Sequence, residues 1–123
     1  MDNDKNAILI GGAKIYKLFF LITDSATIQD ITSSVAKSWI GQTVKLKCLV
    51  DGGPIPTVTW IKPNRRQLNS VISRENTVNV TMTDDEDFGL YTCNADNGFG
   101  PSANQTIQVQ QISKRTMKRL FFA

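Results

Sequence analysis

The chain of 123 residues contains no histidine. That removes the commonest general base and the commonest metal ligand together. Cysteine is nearly as scarce. Cys48 and Cys93 stand alone, and no Cys-x-x-Cys or Cys/His grouping gives zinc-ligand spacing. There is no glycine-rich phosphate loop and no nucleophile elbow. Long apolar runs are missing too. The strongest, Ile15 to Ile22, falls far short of the roughly 20 residues that span a bilayer, and Lys14 and Lys17 interrupt the wider run. It also makes a poor secretory leader, because the start Met1-Asp2-Asn3-Asp4 is acidic and the uninterrupted apolar core is only Leu18 to Ile22. These absences leave no expected catalytic residue, metal or cofactor, and the chain is not expected to be an enzyme.

Charge is also less than it looks. The chain carries a formal +3, but Lys114, Arg115, Lys118 and Arg119 crowd the C-terminal end. Residues 27 to 113 hold seven basic and eight acidic side chains, a net of −1. The basic character therefore belongs to a tail, and no nucleic-acid face is expected. The length fits one domain. We divide it into a distinct N-terminal segment or linker at 1–26, a folded domain at 27–111 and a basic tail at 112–123.

What the sequence does have is alternation. With Cys48 inward, a period of two places Val44, Leu46 and Val50 inward and Lys45, Lys47 and Leu49 outward. Around Cys93 it buries Tyr91 and Ala95 and exposes Leu90, Thr92 and Asn94. Around Trp60 it buries Val58 and exposes Thr59 and Ile61. Val78, Val80 and Met82 alternate with Asn79 and Thr81, and Ile107 and Val109 alternate with Thr106, Gln108 and Gln110. Five strands with one apolar face each suit two sheets packed face to face.

The spacing of special residues narrows this further. Two cysteines bracket Trp60, and the second ends the run Asp87-Phe88-Gly89-Leu90-Tyr91-Thr92-Cys93. Gly41-Gln42-Thr43-Val44-Lys45-Leu46-Lys47-Cys48, Gly53-Pro54-Ile55-Pro56-Thr57-Val58-Thr59-Trp60 and Cys93-Asn94-Ala95-Asp96-Asn97-Gly98-Phe99-Gly100 flank these anchors in order. Together they resemble the I-set of the immunoglobulin superfamily over roughly 27 to 111. The resemblance implies an all-β, two-sheet antiparallel sandwich. It implies a Cys48–Cys93 bridge between the sheets, with Trp60 against it, and a core that includes Leu46 and Val80. It also implies a corner at Asp87 and Gly89, where the Tyr91 hydroxyl bonds upstream backbone. We expect Asp87 to accept backbone N–H groups or to pair with an arginine, Arg74 being the candidate. A bridge implies an oxidising compartment. I-set domains inside muscle cells instead keep buried thiols, and that alternative stays open.

Several surface features carry functional expectations. Asn79-Val80-Thr81 and Asn104-Gln105-Thr106 are N-glycosylation patterns with both asparagines on outward positions. About 1.5 such triplets arise by chance from this composition, so their number alone says nothing of secretion. Ile61 and Leu90 are interface candidates on one sheet, and Trp39 and Ile40 form a second candidate patch. Asp84-Asp85-Glu86-Asp87 lacks calcium-loop spacing and reads as an exposed corner. Lys62, Arg65 and Arg66 surround a turn at Pro63-Asn64.

The resemblance implies an extracellular protein-recognition module of a cell-adhesion or receptor protein. Its partner would be the same molecule or another Ig-like ectodomain. No small-molecule substrate is expected, and membrane attachment would come only through a parent chain. Two alternatives remain: an intracellular structural spacer like those of muscle filaments, and the ligand-binding ectodomain of a receptor tyrosine kinase or phosphatase.

Overall fold

The computed structural model describes residues 23–112. The apolar stretch at 15–22 and the basic tail residues Lys114, Arg115, Lys118 and Arg119 lie outside the described residues. The strands in chain order are β1 (Asp24–Ser33), β2 (Lys37–Ser38), β3 (Thr43–Gly53), β4 (Thr57–Ile61), β5 (Gln67–Ile72), β6 (Glu75–Thr81), β7 (Gly89–Asp96) and β8 (Ala103–Gln111). A 3-10 turn, Asp85–Asp87, precedes β7.

One sheet has three strands in the order β1-β3-β6, and the other has five in the order β2-β8-β7-β4-β5. All pairings are antiparallel except β2 with β8, which is parallel. The strands read from alternation appear as β3, β4, β6, β7 and β8. β1, β2 and β5 were not among them, for physical reasons. β1 is mostly polar, and two register shifts break its period. β2 is only two residues long. β5 is an edge strand with no buried residue, so no face of it reads as apolar. The domain was expected to begin at 27, whereas β1 begins at Asp24, and Ala26 is already in the core.

The core forms where the inner faces meet. Leu46, Cys48, Trp60, Tyr91 and Cys93 are fully buried, and Val80 nearly so. The Cys48–Cys93 disulfide ties β3 to β7, hence one sheet to the other. Trp60 pairs with Cys93 across β4 and β7, and Asn76 pairs with Cys48 across β3 and β6. The Trp60 indole N–H donates to the Asn76 carbonyl at 2.9 Å. The Asn76 amide in turn donates to the Val58 carbonyl at 2.9 Å and exchanges two bonds with Asn69. A polar clasp therefore crosses the sandwich beside the disulfide.

Candidate interaction face

The five-stranded sheet is positioned by the corner that feeds β7. Asp84 caps the 3-10 turn by accepting from the Glu86 N–H at 2.8 Å. Asp87 is 3% exposed. Its Oδ2 accepts from the Thr83 N–H at 2.6 Å, the Thr83 hydroxyl at 2.7 Å and the Asp84 N–H at 3.2 Å. Its Oδ1 receives the Lys62 ammonium at 2.6 Å. Burial pushes this carboxyl up, but Lys62 and the Thr83 and Asp84 donors outweigh it and hold it well below the usual carboxylate range. The Tyr91 hydroxyl donates to the Asp87 carbonyl at 2.6 Å. Burial, and then the Asp87 charge, push the Tyr91 phenol up to about 12.

Arg74, the expected partner of Asp87, pairs with Asp51 instead, and Lys62 takes its place. Arg74 lies at the β5–β6 turn, where its carbonyl accepts from the Val50 N–H, and its guanidinium meets Asp51 at 2.6 Å. That turn is at the other end of the sandwich from Asp87, while Lys62 follows β4 directly into the corner. Lys62 is thus committed to Asp87, and of the three basic residues around the turn only Arg65 and Arg66 are exposed.

With the corner fixed, register sets the outward face. Ser70, Thr59, Asn94 and Asn104 form one row across β5, β4, β7 and β8. The Thr59 and Ser70 hydroxyls share a hydrogen bond at 2.8 Å, and the Asn94 amide donates to Asn104 Oδ1 at 2.8 Å. Gln67, Ile61, Thr92 and Thr106 form the next row, and Leu90 stands opposite Gln108. Ile61 is directly opposite Thr92, so Ile61 and Leu90 are diagonal neighbours. Ile61 is half-buried and Leu90 is 52% exposed. The face carries one charge near each end, Asp96 opposite Thr57 and Lys37 opposite Gln110.

Of the remaining candidates, Trp39, Ile40 and Asn79 lie apart from this face and Asn104 lies on it. Trp39 is half-buried and Ile40 exposed in the turn between β2 and β3, where the Gly41 N–H bonds the Met82 carbonyl. Asn79 is exposed on β6, in the three-stranded sheet. Asn104 is exposed within the face itself.

A third apolar group was not read from the sequence. Ile55, Ile72 and Phe99 are exposed where the β4-side and β7–β8 loops meet, and Ile72 reaches 74%. Ile72 pairs with Thr57, and Ile55 lines a shallow groove with Thr57, Asn94, Asp96, Asn97 and Gly98. Phe99 is set by its neighbour Gly98 at φ 81° and by its N–H bond to Asn97. These residues are distant in sequence, and only the pairing of β4 with β5 and β7 brings them to one end.

A family model for the immunoglobulin domain matches residues 27–97. The human leucine-rich repeat and immunoglobulin-like domain-containing nogo receptor-interacting protein 2 is 35% identical over 66 residues, covering 49% of this chain and 11% of that protein. Lachesin of Schistocerca americana is 34% identical over 92 residues, covering 73% of this chain and 25% of that protein. The chain thus spans a quarter or less of the length of these relatives. Among solved structures, a chain of the complex between titin M10 and the obscurin-like 1 Ig domain superposes with a TM-score of 0.59 at 23% identity, over 74% of this chain and 96% of that one. That likeness concerns the fold.

Proposed function

The chain belongs to the immunoglobulin domain family, and from that premise we propose that it is a non-catalytic recognition module of the I-set whose five-stranded face binds a second copy of itself. The observation that carries this reading is the chemistry of the face. Asn94, Asn104, Gln108, Gln110 and the threonines each donate and accept hydrogen bonds. Such a surface is complementary to itself under a two-fold axis. It has almost no like charge to bring together, and Asp96 and Lys37 have opposite signs. Ile61 and Leu90 supply a modest apolar centre inside that polar surround. The inter-sheet disulfide supports placement at the cell surface, where such bonds persist. Affinity per domain is modest, and tandem copies in a parent chain would multiply it.

The test is sedimentation of the folded chain over a concentration series. Wild type is expected to form a dimer that Leu90→Asp and Ile61→Asp abolish without lowering the melting temperature. A dimer unchanged by both substitutions would remove the face from consideration. A second reading is favoured by Ile55, Ile72 and Phe99, whose exposure suits a different Ig-like ectodomain seated end-on. In that case Phe99→Asp, rather than Leu90→Asp, would abolish binding to that partner.

A further inference from the structure

We propose that Asn104 carries an N-linked oligosaccharide and that this glycan closes the five-stranded face, so that the domain self-associates only while Asn104 is bare. The inference rests on the reading of that face given above. Asn104 is exposed within the row that crosses β8, β7, β4 and β5. Three strand spacings of about 4.8 Å make that row about 15 Å wide, within the sweep of a branched oligosaccharide anchored at its edge. Asn104 Oδ1 accepts from the Asn94 amide. Among the described residues no hydrogen bond engages Asn104 Nδ2, the atom that would bear the sugar. Thr106, the third residue of the acceptor pattern, is exposed on the same face opposite Thr92.

The transfer step is ordinary substitution. The Asn104 amide nitrogen attacks the anomeric carbon of a polyprenyl-pyrophosphate-linked oligosaccharide, and the N–C bond forms as the C–O bond to pyrophosphate breaks. The electron pair leaves with the pyrophosphate, and one amide proton passes to a base of the transferase. The modified amide keeps one N–H where it had two, and the attached ring holds a facing copy away from hydrogen-bonding distance.

Asn79 is the built-in control. It is exposed on β6, in the three-stranded sheet, opposite Lys45. A glycan there leaves the five-stranded face open.

The full chain would be secreted from animal cells behind a heterologous leader and weighed before and after N-glycosidase treatment. Its self-association would be measured for wild type, Thr106→Ala and Asn79→Gln. Thr106→Ala destroys the acceptor pattern and leaves the Asn94–Asn104 bond intact. What the lost hydroxyl itself does to the face is read by comparing this variant with wild type, both as bare chain from the bacterial periplasm. We expect a glycan on the Asn104 peptide, at least tenfold tighter self-association for Thr106→Ala, and no change for Asn79→Gln. A bare Asn104 in the secreted protein would overturn the proposal, and so would Thr106→Ala associating no better than the glycosylated chain. The parent reading is tested separately on bare chain from the bacterial periplasm. A dimer there that Leu90→Asp abolishes keeps the face even if the glycan gate fails.

Discussion

Asp87 stays ionised although it is buried, and that makes the corner sensitive to acid. Its carboxyl lies well below the ordinary value in the folded state, against about 3.9 in an unfolded chain. The folded state therefore binds the proton less well. The stabilisation is fully present above the unfolded value and is lost as pH falls from about 5 through the folded one. Asp87→Asn should flatten this acid limb, which urea denaturation at stepped pH would show. Lys62→Met removes the cation but leaves the Thr83 donors. It should cost about 3 kcal/mol, as expected when one partner of a buried pair is lost, and should raise the Asp87 carboxyl in an NMR titration. An Asp87 resonance that does not move would mean that Thr83 and Asp84 alone hold the charge. Tyr91 behaves in the opposite sense. Its phenol is pushed up to about 12, so its contribution is present below about 10 and is lost as pH rises toward 12. Tyr91→Phe leaves the Asp87 carbonyl without its donor and should cost about 1–3 kcal/mol.

Elements meet at two places that differ in how well the sequence announces them. The β7 corner is one. Gly89 has φ 137°, and a Cβ there would stand 3.1 Å from the Pro63 side chain. Gly89→Ala combines unfavourable backbone with crowding of the β4–β5 turn, and should lower stability by about 2 kcal/mol. Thermal melts of the two proteins would measure this, and equal melting temperatures would show that the corner relaxes. This corner was legible because Gly89, Tyr91 and Cys93 keep fixed offsets along one strand. The Asn76 clasp was not. Asn76 is 2% exposed, yet in sequence it is one polar residue among several at the start of β6. Its burial depends on Val58, Trp60 and Asn69, which belong to the other sheet. Asn76→Ala would strand the Val58 carbonyl and Asn69, costing about 1–3 kcal/mol, a loss that equilibrium denaturation would register. The Lys62 partner was missed for a similar reason, since the residue that reaches Asp87 is decided by where β4 ends. Alternation within a strand survives in sequence, whereas contacts between strands require the fold.

At the scale of the whole molecule, one covalent bond and one non-covalent clasp hold the same two sheets. Cys48 and Cys93 are 45 residues apart, and closing a loop of that size removes unfolded-state entropy worth about 4 kcal/mol in the chain-entropy account. The clasp acts on the folded side instead, through the Trp60 and Asn76 bonds. The two contributions act on different states, so losing the bridge should weaken the domain without redirecting its fold. Cys48→Ala with Cys93→Ala should cost about 2–5 kcal/mol and lower the melting temperature by about 10–20 °C. It should still leave Trp60 buried, as its fluorescence and quenching would report. A melting temperature equal to that of wild type would show that the bridge contributes nothing and that buried thiols would serve as well. A chain that melts lower and also exposes Trp60 would mean that the disulfide, rather than packing and the Asn76 clasp, sets how the two sheets face each other.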